Sequence, residues 1–433
     1  MDTRENPAVG HLALFVTENC NLRCEYCFAS NMIKKNISIE NGRKAIDFLF
    51  DHSGKRKQLG ITLWGGEAFM RFPLMKRLVA HAEKKAKETG KRVTFSVPTN
   101  ATLLSDRVLD YVREHKIRLS LSIDGMADTQ ARRKTVAGGN SFPLVEKVLP
   151  RVVQKLRDYL PPVRMTVTPS AAANLYRDVN FFLNAGIKNI NFFTAPELDW
   201  DAKSLQTFED QQLRLADDFI QRIEEGNLSI QFGSWSSVLR NLYRMHHHPE
   251  KAGTLARKSN DKMGHCGFGD TMLAVSVDGE FYPCHRFVFY DRDKKNHLLG
   301  NLESGLIREK TEQYGNIYHS DPEVEGRKCM DCDIAFACRT FCGAANYDYS
   351  GCTTDIHPNV CKVVKTTYTA CTAVFSALKD HENFKKYLQR ISQPGAHARA
   401  FVIPDPHSDA YEDLLDDLAG EAEGLLKGLH PPS

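Results

Sequence analysis

Apolar residues recur along the first half of the chain in two alternating rhythms. HLALFVT (11–17) is a short, nearly unbroken apolar run, whereas residues 38–52 space their apolar positions by three and four, as a helix with one buried face does. The exchange then repeats. ITLW (61–64) precedes a long charged amphipathic stretch over 73–89. VTFSV (93–97) precedes a helical stretch that starts at Ser105, which suits an N-cap, and runs to about Lys116. IRLSLSI (117–123) is followed by helical spacing over 142–159, VRMTVT (163–168) by the same over 174–185, and INFFT (190–194) closes the series. Strand-helix units in such a row predict an α/β fold: a parallel sheet with helices outside, curled by right-handed crossovers into a partial (β/α)6 barrel of the TIM type. Ligands in that architecture meet the loops beyond the C-terminal strand ends.

Residues 201–225 and 235–247 read as further helices, after which the rhythm breaks. TMLAVSV-DG-EFYPC (271–284) is two strand-like runs about an Asp-Gly pair, a hairpin that delivers Cys284 just past the returning strand. The expected division is a barrel core over 1–235, a helical bridge over 236–265, a second region over 266–375 and a helical tail over 376–433. Pro394, Pro404, Pro406 and an acidic stretch make the end of that tail a loosely attached segment.

A net charge of +3 with no strongly basic stretch gives no reason to expect nucleic acid or an anionic membrane surface. No apolar run approaches the roughly 20 residues that cross a bilayer, and the polar start MDTRENPAVG is unlike a signal peptide, so a cytoplasmic protein is expected. In that reducing setting the 12 cysteines point to metal rather than disulfides. Cys20, Cys24 and Cys27 form a C-x3-C-x2-C loop directly after the first strand. A structural zinc wants a fourth ligand; an iron-sulfur cubane held by three thiolates leaves one iron open to a small chelating ligand. A zinc knuckle stays open as the bland alternative.

CNLRCEYC resembles the cysteine motif of radical S-adenosylmethionine (SAM) enzymes, with Tyr26 at the aromatic position before its last cysteine. Other segments resemble that family in order, each after a strand: LWGGE with Gly65, Gly66 and Glu67, PTNATLLSD with Asn100, and SIDG with Ser122 and Asp124. The resemblance implies that these residues surround SAM: the glycine turn and Glu67 at its amino group, Ser122 and Asp124 toward its ribose and methionine ends, and either Arg132 or Arg133 toward its carboxylate. Two departures are Ala68, where proline is usual, and Ala101, where glycine is usual.

The later cysteines are too many and too irregular for one zinc. They resemble the SPASM extension of radical SAM enzymes, which implies two auxiliary clusters and three [4Fe-4S] clusters in all. One auxiliary cluster would use Cys329, Cys332, Cys338 and Cys361; the other would use Cys266, Cys284 and Cys342, closed by Cys352 or left open to substrate. Cys371 reads as a buried thiol. The implied activity is a peptide maturase: a 5'-deoxyadenosyl radical takes hydrogen from a residue of a ribosomally made precursor and a thioether or carbon-carbon crosslink closes, with His285 as candidate proton acceptor. Its partners would be the precursor, a low-potential donor such as flavodoxin or ferredoxin, and a separate leader-binding protein. Anaerobic sulfatase-maturating enzymes are the nearer alternative, although they carry aspartate where this chain has His285. A non-catalytic iron-sulfur electron carrier or zinc scaffold is the alternative of another class.

Overall fold

A computed structural model describes residues 9–29, 31–248, 267–269, 271–317, 323–329, 332–335, 338 and 342–392. Cys266, most of the bridge beyond 248 and the tail from 393 lie outside these described residues.

The chain opens on strand β1 (His11–Thr17), the short strand β2 (Leu22–Cys24) and helix α1 (Ile39–Asp51). It continues through β3 (Gln58–Gly65), α2 (Phe72–Thr89), β4 (Arg92–Thr99), α3 (Asp106–Glu114), β5 (Arg118–Ser122), the one-turn α4 (Ala127–Gln130), β6 (Arg133–Thr135) and α5 (Phe142–Lys155). Then come β7 (Val163–Val167), α6 (Leu175–Asn184), β8 (Asn189–Thr194), α7 (Ala202–Glu224), β9 (Gln231–Phe232) and α8 (Gly233–His247). β1, β3, β4, β5, β7 and β8 pair in parallel in that order, with β9 at the far edge, which is the expected partial barrel.

Alternation along the strands explains the layers. Leu12, Leu14, Ile61 and Leu63 are all but inaccessible, as are Ile46, Leu49, Leu78 and Val79 of the helices outside the sheet. On the other face the polar residues find one another: His11 Nε2 lies 2.8 Å from the Thr62 hydroxyl, itself 2.8 Å from that of Ser96. Ser105 caps α3 as expected, accepting from the Val108 N–H at 3.4 Å.

The hairpin forms as β10 (Met272–Val275) and β11 (Glu280–Tyr282), with Gly279 at φ +83 in its turn. β10 also pairs in parallel with β1, Leu12 opposite Leu273, and β11 continues through β12 (Gly300–Asn301) to β13 (Gly305–Leu306). The second region is therefore a continuation of the barrel sheet, giving 11 strands in one ladder. A boundary at 235 falls inside α8, and one at 375 falls inside the helix Pro358–Leu378, whose Thr366 accepts from Gln212 of α7 at 3.0 Å. The helix Glu382–Ser392 is equally committed, burying Phe384, Tyr387, Leu388 and Ile391. No described helix is long and apolar enough to cross a membrane.

Candidate functional site

The loop after β1 carries the cysteine trio, and three devices fix it. First, β2 pairs antiparallel with β6, Cys24 opposite Arg133, so the loop is stapled to the segment after β5. Second, Gly65 and Gly66 pass close beneath it: a Cβ on Gly66 would meet the Asn19 carbonyl oxygen at 2.6 Å and the Cys20 Cβ at 2.7 Å. Third, Glu18, two residues before Cys20 and 1% exposed, pairs with Arg292 beyond the hairpin, which also donates to the Asn31 carbonyl at 3.0 Å. Gly66→Ala is expected to displace the cysteine loop and cost about 1–3 kcal/mol by overpacking, measured by denaturant unfolding.

The three thiols are half-buried. Burial pushes the Cys20 thiol up to about 12, against the Leu22 N–H that donates to its sulfur, and raises that of Cys24 against the pull of Arg133. Polar hydrogens converge on these sulfurs: the Leu22 N–H at 3.4 Å and Asn100 Nδ2 at 3.9 Å on Cys20, and Arg133 Nη1 at 3.8 Å on Cys24. Thiols that resist ionising alone, with donors aimed at their sulfurs, fit ligation of a cationic centre, which is what makes the thiolate stable.

Behind the trio lies a buried ion pair. Asp124, 1% exposed, takes both forks of Arg133 at 2.9 Å, the Tyr26 hydroxyl and the Thr166 N–H at 2.9 Å. Arg133 stacks over Tyr26, whereas Arg132 turns to the Ser170 hydroxyl at 2.7 Å. Of the two candidate arginines it is thus Arg133 that reaches the cysteine loop. Glu67 is likewise enclosed: its carboxylate accepts from the Asn100 N–H at 2.7 Å, Thr99 Oγ1 at 2.9 Å and the Phe69 N–H at 3.1 Å. Burial outweighs these donors and pushes its carboxyl up to about 7. Glu67 and Asp124 tie strand ends together beneath the mouth, and Ser122 stands half-buried at the end of β5. Ala101 sits at φ +66, a left-handed conformation that favours the usual glycine.

His285, next to the buried Cys284, is stacked on Trp64 with ring centroids 4.1 Å apart and planes 12° apart, and meets Phe28 of the cysteine loop edge-on at 5.8 Å. Burial, then the charges of Arg286, Arg164 and His11, hold its imidazole well below the usual range, so it is neutral at pH 7 and a weak base until an anion offsets those charges. Sequence reading missed Trp64, Arg164 and Arg286, which gather about His285; the available signal was an arginine alternating with apolar residues in VRMTVT. Among the later cysteines, Cys361 lies within electrostatic reach of Cys332 and Cys338. Cys342 lies similarly near Arg286 and Arg164. Cys352 is exposed, its sulfur 3.2 Å from the Thr354 hydroxyl, and Cys371 is fully buried.

Residues 9–161 match the 4Fe-4S single cluster domain family. The serine-type anaerobic sulfatase-maturating enzyme of Bacteroides thetaiotaomicron is 28% identical over 348 residues, 75% of this chain and 80% of that protein. Native anSMEcpe with bound AdoMet superposes with a TM-score of 0.66 at 17% identity, covering 85% of this chain and 99% of the other. Streptococcus suis SuiB bound to the precursor peptide SuiA superposes at 0.52 with 14% identity, over 82% of this chain and 76% of SuiB.

Proposed function

Because the chain is a radical SAM protein with a SPASM extension, of the maturase-like kind, we propose that it modifies a peptide, closing a thioether or carbon-carbon crosslink in a ribosomally made precursor. The observation that carries this reading is the place of His285. A neutral imidazole, held flat on Trp64, faces the loop of the cysteine trio across the mouth that barrel and hairpin share. Bound clusters and SAM would supply the radical chemistry, reductive cleavage of a sulfonium to abstract substrate hydrogen and an acceptor for the electron left as the new bond forms.

In this reading Cys20, Cys24 and Cys27 would hold the first cluster, which would supply the site for SAM. Gly65 and Gly66 let the backbone approach, while Glu67 and the Asp124 and Arg133 pair hold the strand ends that Asn100 and Ser122 extend from. His285 would take the second hydrogen as a proton once a bound anion offsets the charges of Arg286 and Arg164. Cys329, Cys332, Cys338 and Cys361 would hold one auxiliary cluster, and Cys266, Cys284 and Cys342 the other, with Cys352 or a substrate sulfur as its fourth ligand. A flavodoxin or ferredoxin supplies the electron and a separate protein presents the leader.

Formylglycine formation on a sulfatase is the second reading, favoured by the named activities of the Bacteroides and Clostridium perfringens relatives. Its weak point is His285, where the resemblance expects aspartate. Anaerobically reconstituted protein is expected to hold about twelve irons and to form 5'-deoxyadenosine with dithionite. Mass spectrometry then decides between the substrates: a precursor encoded nearby losing two hydrogens with ring closure supports crosslinking, and an aldehyde on a sulfatase peptide supports the second reading. Stoichiometric zinc without cleavage overturns both.

A further inference from the structure

Three guanidinium groups crowd the mouth, and two of them have anions. Arg133 grips Asp124, and Arg286 reaches Glu197 at 3.2 Å. Arg164 has no carboxylate within ion-pair distance among the described residues. It is the second residue of β7, half-buried, in register with Ser122 on one side and Asn191 on the other, so these polar residues share its face of the sheet. Its guanidinium lies 4.8 Å from the ring centroid of Phe193, which is 43% exposed. Burial, then the charges of Arg286 and Arg133, depress Arg164 to about 10, with Cys342 pulling the other way. Its charge also reaches His285. A half-buried guanidinium with no carboxylate beside it is placed to take an incoming anion.

We infer that Arg164 is the seat of a carboxylate carried by the substrate chain, an acidic side chain or a C-terminus docked across the mouth from His285. The inference rests on the peptide reading, because carboxylates are the anions an unmodified peptide offers. A guanidinium fork suits a carboxylate in two-bonded geometry, Ser122 and Asn191 flank it with further polar groups, and the exposed Phe193 ring gives the methylene stem an apolar surface.

The test uses the full reconstituted chain with SAM and three probes: the peptide acetyl-Gly-Ala-Glu-Ala-Gly-amide, its glutamine counterpart, and succinate. Binding is followed by tryptophan fluorescence, to which Trp64 in the mouth contributes. The glutamate peptide is expected to bind at least about tenfold tighter than the glutamine peptide, and Arg164→Gln is expected to erase that preference while Arg164→Lys keeps part of it. The unliganded Arg164→Gln protein should melt no lower than the parent. Four outcomes overturn the seat: no probe binds; Tm falls by about 5 °C or more in Arg164→Gln, which reveals a structural partner; SAM affinity drops about tenfold, which makes the anion that of SAM; or the preference survives in Arg164→Gln while an auxiliary-cluster potential shifts. Succinate binding that depends on Arg164, without binding of either peptide, upholds the carboxylate seat and counts against the peptide reading.

Discussion

Cys24→Ala is expected to fold and to release no measurable 5'-deoxyadenosine under dithionite, a loss of at least about a thousandfold, with about four irons fewer per chain. Burial raises the thiol at this position, a bound cationic centre would favour its thiolate, and two remaining thiolates cannot hold a site-differentiated cubane. The fold should survive because the cysteine loop keeps its other ties: Cys24 enters the ladder with β6 through its backbone, and Arg133 retains Asp124. Circular dichroism checks the fold, iron analysis the cluster and chromatography the nucleoside. Cys371→Ala is the control, since that thiol is fully buried on the helix Pro358–Leu378 and its loss should leave the iron count unchanged. Nucleoside release at the parental rate from Cys24→Ala would sink the assignment of the trio.

Removing Arg133 has the largest expected effect on stability. In Arg133→Met the Asp124 carboxylate, 1% exposed, keeps only the Tyr26 hydroxyl and the Thr166 N–H, and breaking a buried pair from one side costs about 3–5 kcal/mol. The double variant Asp124→Asn with Arg133→Met should recover a good part of this, because no charge is then left stranded. Urea unfolding of the parent, both single variants and the double measures the coupling. A cost for Arg133→Met below about 1 kcal/mol would mean the pair is solvated and the staple between β2 and β6 stands on its backbone bonds alone.

Much of the barrel was legible because its elements are long enough to show a period. HLALFVT became His11–Thr17 to the residue, and Ser105 announced its helix through the chemistry of a cap. Two features were beyond that reading. β2 and β6 are three residues each, too short for any rhythm, yet their pairing decides that Arg133 rather than Arg132 meets Cys24, since neighbours on a strand point to opposite faces. The parallel contact of Met272–Val275 with His11–Thr17 joins segments more than half the chain apart, and no local signal encodes it. The Asp-Gly pair announced the hairpin of β10 and β11. The orientation of Glu67 and Asp124 was not readable, because their donors, Thr99, Asn100, Tyr26 and Thr166, come from other loops. Arg164 escaped notice for the opposite reason: an arginine in an alternating strand reads as a solvated residue, whereas here it is half-buried in the sheet.

The ladder between β1 and β10 governs how this protein can be taken apart. A fragment ending before the hairpin would strip β1 of a neighbour and leave an apolar row of unsatisfied amides as a raw sheet edge, an invitation to self-association. The same bonds forbid a hinge at that seam, so whatever crosses between the two cysteine-bearing parts does so over a gap of constant width, set by the spacing of strands rather than by a docking equilibrium.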